Sequence, residues 1–368
     1  MVLERVLQRK LERSRWLRLA LITACLLSPA AWAQGNDAAP AGQGALTLAD
    51  ARTWLTRIHT AAHSGNYQGT LVYSAGGVLS SSRVWHYMTG EQTYERLEAL
   101  DGRQQRILRH NAAVHTLWPQ TKVAVIERRE TPGAWSTTPQ SVDPQALEQY
   151  DLRREGSTRV AGRDAVVLLL EPRDTLRYAQ RLWADQATGL MLRADVMGDA
   201  GVGTGSGPGS GSSIGSGTGP RAVLVSTAFS EVNVGVKPQP ELILQLMNKL
   251  DGYRVLRPQQ QRTTLDAEGW ALARPVAGFR LAGCMRRGME TAGDDEPVLQ
   301  AVFTDGLTHV SVFVEPYKPQ RHHAEVQAQL GATATVMVRR AGHWVTAVGD
   351  VPAATLRLFT AAFERRRP

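Results

Sequence analysis

The sequence predicts an α+β fold in which a large antiparallel sheet is the main element. The stretch from Arg159 to Met197 consists of short apolar runs separated by breaks rich in Gly, Asp and Pro. This spacing is typical of an antiparallel meander, because no helix of useful length fits between the breaks. A first helix is predicted well before it: Thr47 to Asp50 matches a capping box, and apolar residues then recur at three- and four-residue steps to Ala62.

The first 33 residues have the pattern of a secretory signal peptide. A basic segment is followed by a short apolar core, Leu19 to Leu27, and by the small-x-small sequence Ala31 to Ala33. The apolar core is shorter than the roughly 20 residues that a membrane-spanning helix needs. A lipoprotein signal ending at Cys25 is the alternative, but apolar residues continue after that cysteine. We therefore expect an exported mature chain that starts at Gln34.

Charge and cysteine content narrow the function classes. The signal segment carries six cations and two carboxylates, so it supplies four of the eight net positive charges and leaves a mildly basic mature chain. Such a surface suits an acidic partner or a phosphorylated lipid surface and predicts no nucleic-acid binding. Cys284 is the one cysteine left after cleavage, which excludes an intramolecular disulfide.

Between the first helix and the meander, the chain alternates short apolar runs with turn signals. Ser64 to Asn66 ends the helix, and Asp101-Gly102 is a hairpin signal. A second helix is predicted near Asp143 to Tyr150, with Pro144 in its first position. The predicted strands are 67–74, 79–88, 92–100, 105–109, 112–118 and 122–128.

A Gly/Ser-rich segment follows the meander. Ten of the 23 residues from Gly198 to Pro220 are glycine and five are serine, a composition that cannot bury enough apolar surface to order itself. Strand-like runs flank it, so we expect a long insertion at a hairpin tip inside a first domain of residues 45–250. That domain ends in a predicted helix at 240–250, and residues 251–268 are predicted to be a linker.

Residues 269–368 are predicted to form a smaller α+β domain. Its predicted strands are 279–285, 298–303, 307–314, 334–339 and 343–348, with Asp305-Gly306 in one hairpin. A last helix is predicted after Asp350 and ends in Arg365, Arg366 and Arg367. These cations either complement the helix dipole as a solvated cap or form a basic docking patch.

No catalytic or metal-binding constellation is found in the sequence. Gly211 to Gly215 fits the spelling G-x-S-x-G, but a nucleophile elbow needs a strand before it and a helix after it. His322 and His323 are adjacent and therefore diverge on a helix or strand. The sequence predicts a protein that is not an enzyme and that needs no cofactor or metal.

Aromatic residues are frequent in the first domain. They fit an ordinary core, and they also fit a curved sheet that forms an open half-barrel able to receive an acyl chain or a hydrophobic peptide. The residues predicted to line that apolar cavity are Leu71, Tyr73, Trp85, Leu97, Trp183, Leu190 and Leu192.

Several segments resemble the MucB/RseB family of periplasmic regulators of the sigma-E envelope stress response. In the first domain these are Asn66 to Tyr73, Glu98 to Gly102, Arg159 to Arg163 and Trp183 to Arg193. In the second domain they are Pro275 to Phe279, Phe303 to Leu307 and Val348 to Pro352. The order and spacing of these segments cover nearly the whole mature chain.

The resemblance implies a lipoprotein-carrier-like half-barrel followed by a smaller C-terminal domain. It also implies that the protein binds the periplasmic domain of a transmembrane anti-sigma factor and protects it from regulated proteolysis. Lipid A, lipopolysaccharide or lipoprotein acyl chains are the implied release signals, and the family carries no catalytic residue to transfer. A lipoprotein carrier is the alternative function, and homodimer formation is left open.

Overall fold

The computed structural model describes residues 44–129, 144–198, 221–288 and 297–366. The predicted signal peptide, Arg367 and all of the Gly/Ser-rich segment except Gly198 lie outside the described residues.

Three α-helices lie within these ranges: α1 (Leu48–Ser64), α2 (Pro240–Asn248) and α3 (Ala353–Ala362). At the start of α1, the Thr47 hydroxyl oxygen accepts a hydrogen bond from the Asp50 amide at 3.1 Å, as the capping box predicts. The segment predicted to be helical near Asp143 is a 3₁₀ helix, Pro144–Glu148. Among the described residues, no helix has the length and apolar character needed to cross a membrane.

The larger of the two main sheets contains thirteen strands in the described ranges and does not close on itself, because β1 and β13 form its two edges. The predicted meander lies within it as β8 to β11, joined by antiparallel pairing. Its strands are β1 (Gly44–Ala45), β2 (Tyr67–Ala75), β3 (Val78–Thr89), β4 (Gln92–Ala99), β5 (Arg106–His110), β6 (Ala113–Trp118), β7 (Val123–Arg128), β8 (Tyr150–Val160), β9 (Arg163–Pro172), β10 (Ala179–Asp185), β11 (Met191–Met197), β12 (Val223–Val234) and β13 (Arg254–Leu256).

The two helices that pack on this sheet lie on opposite faces. Helix α1 buries Leu55 and Ile58 against a cluster that includes Leu182 of β10. Helix α2 buries Ile243 and Met247 against a cluster that includes Leu108 of β5. Tracing the register from β10 through β11, β12, β2, β3 and β4 to β5 places those two leucines on opposite faces. The sheet therefore has apolar packing on both of its faces.

The second main sheet has seven strands within the described residues, in the order β14-β16-β17-β18-β21-β20-β19. Helix α3 packs on one face of it, where Leu356 and Phe359 join a cluster with Phe303 and Val312. A separate two-stranded ribbon pairs β15 with β22. The strands are β14 (Gln260–Arg262), β15 (Trp270–Leu272), β16 (Arg280–Arg287), β17 (Val298–Thr304), β18 (His309–Pro316), β19 (Val326–Leu330), β20 (Thr333–Arg340), β21 (His343–Gly349) and β22 (Phe363–Arg365).

The segment predicted to be a linker contains two short strands. Strand β13 pairs in parallel with β7 at the edge of the large sheet, and β14 pairs with β16 at the edge of the second sheet. The backbone on both sides of residues 257–259 is therefore hydrogen-bonded into a sheet. The strands that flank the Gly/Ser-rich segment, β11 and β12, pair antiparallel with each other, and the Gly198 amide donates to the Ala222 carbonyl at 2.9 Å.

The prediction that the last helix continues into the arginines is wrong. Helix α3 stops at Ala362, and the chain turns into the extended strand β22, which pairs with β15. Phe363 is buried against Trp270 by this pairing. The predicted fold class is confirmed: an open antiparallel sheet with helices is followed by a smaller sheet with its own helix.

Candidate functional site

A buried ion pair joins the large sheet to the second sheet. Arg177 precedes β10, Asp305 lies in the hairpin between β17 and β18, and neither side chain is exposed to solvent. The Arg177 Nε atom donates to Asp305 Oδ2 at 2.7 Å. We call the contacts between the two sheets around Arg177, Asp305, Tyr150, Glu127 and Arg287 the inter-sheet seam.

Each charged group of the pair has further hydrogen-bond partners. The Asp305 carboxylate also accepts from the Tyr150 hydroxyl at 3.1 Å and from the amides of Leu307 and Thr308. Arg177 donates to Asp174 and to the Ala277 carbonyl oxygen at 2.7 Å. Burial, and next the Asp305 charge, raise the pKa of Tyr150 well above its ordinary value, which keeps the phenol protonated as a donor. Satisfied partners offset the desolvation of such a pair.

Apolar packing supports the ion pair. The Arg177 guanidinium lies 4.6 Å from the centre of the Phe279 ring. Leu307, at the tip of the β17–β18 hairpin, belongs to the core beneath α1, and Leu176 packs against the core of the second sheet. Each sheet thus inserts one leucine into the other's core beside the charged pair.

A second cluster of charges crosses the seam at the far edge of both sheets. Glu127, at the end of β7, accepts from Arg287 Nη2 of β16 at 2.7 Å and from Gln260 Nε2 at 2.9 Å. Arg129 donates to the same carboxylate. Burial alone would raise the pKa of Glu127, but the hydrogen bonds and charges of the two arginines outweigh it and lower the pKa.

This lowered pKa predicts an acid-sensitive contribution to stability. The ordinary pKa of this glutamate is 4.5, and folding lowers it. At a pH above 4.5 the ionised carboxylate therefore stabilises the folded state. This contribution is lost as the pH falls through the pKa that Glu127 has in the folded protein. Glu127→Gln is therefore expected to lower the free energy of unfolding by about 1–3 kcal/mol at pH 7, with a smaller difference at pH 3.5. Urea unfolding at both pH values measures this.

The matched control is Asp164→Asn, in a pair with Arg159 in which both side chains are mostly exposed. It is expected to change stability by less than about 1 kcal/mol at either pH. Equal losses for Glu127→Gln at the two pH values would contradict the role given to the ionised carboxylate.

A third contact lies at the opposite end of the seam, where the β19–β20 hairpin meets the large sheet. Gln329 Nε2 donates to the Tyr178 hydroxyl at 3.3 Å, and Ala332 is buried with Ala75 and Val225. Gly331 has a positive φ of 61°, and a Cβ built there would lie 2.7 Å from the Leu224 carbonyl oxygen. The close approach of the two backbones thus requires glycine at this turn.

The seven residues predicted to line a cavity are divided among three clusters. Four of them, Leu71, Trp183, Leu190 and Leu192, pack in one core together with Phe229, and Leu97 packs against that core. Tyr73 lies in the cluster beside the β19–β20 hairpin. Trp85 follows Val84 in β3, so it points to the other face of the sheet and packs in the α2 cluster. Five of the seven residues are therefore brought together.

The two described arginines of the predicted basic patch are engaged in local contacts. Arg365 lies in β22, with its guanidinium 5.6 Å from the centre of the Trp270 ring and a hydrogen bond to the Glu268 carbonyl. Arg366 pairs with Asp266 at 2.8 Å, although both side chains are exposed. Arg367 lies outside the described residues. These contacts place the two arginines against the 264–272 segment and not at a helix terminus.

The described residues contain no group of three or more His, Cys, Asp or Glu side chains that could hold a metal ion. Burial, and next the Glu268 charge, raise the pKa of the Cys284 thiol to about 11. A thiol with so high a pKa is protonated at neutral pH and is a poor nucleophile.

The described residues form an α+β fold in which two main sheets are joined by the inter-sheet seam. Two family models match the chain: the MucB/RseB N-terminal domain over residues 50–202 and the MucB/RseB C-terminal domain over residues 264–364. The chain belongs to the MucB/RseB family.

Individual relatives match over most of the chain. The sigma factor AlgU regulatory protein MucB of Pseudomonas aeruginosa is 31% identical over 321 residues, which cover 84% of this chain and 90% of that protein. The MucB chain in the solved Pseudomonas aeruginosa MucA/MucB complex is 27% identical, with a TM-score of 0.62, and the match covers 87% of this chain and 100% of that one. The crystal structure of MucB gives a TM-score of 0.60 at 26% identity, and the match covers 86% of this chain and 98% of that one.

Proposed function

We propose that this protein is a periplasmic negative regulator of sigma-E signalling that binds the periplasmic domain of a membrane anti-sigma factor and protects it from proteolysis. The observation that supports this most is that the match to the MucA-bound relative runs through both sheets and covers the whole of that chain. The inter-sheet seam supports it further, because a buried and satisfied ion pair fixes the two sheets as one binding surface.

The protein acts by binding and not by catalysis. Its family is one of regulatory proteins, and the buried Cys284 thiol is protonated at neutral pH. Export by the cleavable N-terminal segment 1–33 places the chain in the periplasm, on the same side of the membrane as its partner.

Release of the anti-sigma factor when lipid binds is a second part of the proposal. An acyl chain of lipid A, lipopolysaccharide or a lipoprotein would enter the apolar core formed by Leu71, Trp183, Leu190 and Leu192. Because these side chains are buried, entry requires them to move apart. The protein then has a closed form and an opened form. A lipid shifts the population toward the opened form only to the extent that it binds that form more tightly than the closed one.

The binding proposal is tested with the mature chain and the purified periplasmic domain of the anti-sigma factor from the same organism. Co-elution in size-exclusion chromatography and slower proteolytic cleavage of the partner are the expected results. Bovine serum albumin at equal concentration controls for nonspecific protection. Absence of co-elution, or cleavage at an unchanged rate within a complex that does form, would overturn the proposal.

The lipid part has its own test. Affinity for the partner is measured with and without detergent-dispersed lipid A, and affinity for lipid A with and without the partner. Linkage requires both affinities to fall by the same factor. Equal lipid affinity in both states would exclude release by competition. Lipid binding without any partner binding would favour the lipoprotein-carrier alternative.

A further inference from the structure

We propose that strand β19, Val326–Leu330, is a docking edge that accepts an extended acidic segment of the partner as an added β-strand. The identity of the partner rests on the proposed function, but the surface itself is argued from this chain alone. Strand addition supplies affinity through backbone hydrogen bonds and specificity through alternate side chains.

Strand β19 lacks the devices that usually protect a sheet edge. Within the described residues, the other edges of the two main sheets are two or three residues long: β1, β13 and β14. The part of β8 that extends beyond β1 is interrupted by a bulge and carries Arg159. By contrast, β19 is five residues long, pairs with β20 in unbroken register and contains neither proline nor a charged residue. It is therefore a suitable template for another strand.

The hairpin geometry determines which backbone groups face outward. A two-residue connection, Gly331-Ala332, joins Leu330 to its paired residue Thr333. In such a hairpin the closing pair is hydrogen-bonded, and the alternation of antiparallel pairs then directs the amides and carbonyls of Gln327 and Gln329 away from β20. These two residues provide the donors and acceptors for an added strand.

Side chains leave this edge accessible. Gln327 and Gln329 are turned onto the face that carries α3 and the seam, where Gln327 Oε1 accepts from Arg357 and Gln329 donates to Tyr178. On the other face Val326 is 44% exposed and Leu330 is 56% exposed. Leu330 also reaches Gly76 at the tip of the β2–β3 hairpin. That hairpin carries the exposed Val78 and Leu79 and extends the apolar surface.

The charged residues around β19 favour an acidic partner segment. Arg357 and Arg340 are exposed, Arg339 stacks on the Tyr317 ring, and none of the three lies within ion-pair distance of a carboxylate among the described residues. Glu325 is the neighbouring acid, and it accepts from the Arg339 amide. A partner segment with acidic residues between apolar ones would complement this surface. A second copy of β19 would instead bring the same arginines together, which disfavours self-pairing.

Hydrogen exchange tests the proposal on the unaltered protein. Backbone amide exchange is followed by mass spectrometry for the mature chain alone and in complex with the anti-sigma factor's periplasmic domain. The 325–331 peptide is expected to exchange at least about tenfold more slowly in the complex, because the outward amides gain partners. The Gln260–Arg262 edge of the same sheet serves as the internal control and is expected to be unchanged.

Two variant pairs identify the contacts. Gln327→Pro removes an outward amide that β20 does not use, whereas Gln327→Ala keeps that amide and removes only the side chain. Affinity for the partner is expected to fall about tenfold for the proline variant and less than about threefold for the alanine variant. Arg357→Glu is expected to weaken binding and increase the dissociation rate, while Arg52→Glu on the exposed side of α1 leaves affinity unchanged. Circular dichroism confirms folding of each variant.

The outcomes separate this proposal from the proposed function. If the wild-type chain does not bind the partner, the proposed function fails and the docking proposal fails with it. If a complex forms but the 325–331 amides exchange at their free rate, the docking proposal alone is overturned. Protection of this peptide that appears without partner and rises with protein concentration would identify a second copy as the occupant and would also overturn it. If Gln327→Pro does not fold, amide hydrogen exchange of the 325–331 peptide in the wild-type complex still tests the docking proposal.

Discussion

Asp305→Asn is expected to destabilise the protein by about 3–5 kcal/mol, because it leaves the Arg177 charge buried without its main counter-ion. The amide can still accept hydrogen bonds, but it cannot balance the guanidinium, whose remaining carboxylate partner is the partly exposed Asp174. Urea unfolding followed by circular dichroism measures the loss. Two transitions in place of one would show that the two sheets then unfold separately.

Two controls establish that burial causes this effect. Asp151→Asn removes one member of an exposed pair with Arg173, where both side chains are more than half exposed, and is expected to cost about 1 kcal/mol or less. Combining Asp305→Asn with Arg177→Met removes both charges and should recover much of the loss. A loss for Asp305→Asn no larger than that for Asp151→Asn would show that the seam does not depend on this pair.

The seam matters for function because the proposed partner contacts lie on both sides of it. Strand β19 belongs to the second sheet, but its neighbours Gly76 and Tyr178 lie directly beside strands β2 and β10 of the large sheet. A change in the angle between the sheets would therefore alter the docking edge without any change in its own residues. Partner affinity of Asp305→Asn should accordingly fall even at temperatures where both sheets remain folded.

Local signals in the sequence were sufficient for most of the fold. The meander strands occur where apolar runs alternate with turns such as Ala161-Gly162, both of which have positive φ. Thr47 caps α1 as its spacing predicts. In each case the residues that determine the element lie within the element or its turn, so a single sequence contains the information.

The errors occurred where distant pairing overrides a local pattern. Leu356, Phe359 and Phe363 continue a helical spacing, but Phe363 is drawn into β22 by pairing with Leu272, which lies 91 positions earlier. Strand β13 is only three residues long and exists because β7 is available to it. Strand β19 does carry an alternating signal in Val326, Ala328 and Leu330. Its polar alternate positions and short length make that signal weak.

The candidate site was less accessible to sequence reasoning than the fold. Asp305 was interpreted as a turn residue, a role it does perform through the amides of Leu307 and Thr308. Its partner Arg177 is 128 positions away, and no local pattern marks a charge that will be buried. The residues predicted to line a cavity are large and apolar, and those properties do not reveal which face of the sheet a residue occupies.

Leu192→Ala is expected to cost about 2–5 kcal/mol, and Leu192→Trp about 1–3 kcal/mol. Leu192 was predicted to line an open cavity, where a larger side chain would weaken lipid binding without unfolding the sheet. In the structure it is fully buried among Leu190, Trp183 and Phe229. Removing its side chain should leave a void, and enlarging it should force its neighbours apart. Urea unfolding of both variants measures these losses.

Leu79→Ala, at a position that is 68% exposed, controls for the loss of a leucine without burial and should change stability by less than about 0.5 kcal/mol. The tryptophan variant is the more informative of the two. If it is as stable as the wild type, the core has room for an indole ring and an acyl chain could enter without displacing side chains. If it is destabilised as expected, the core must open before lipid can enter. The binding free energy of the lipid must then offset the free energy that opening costs.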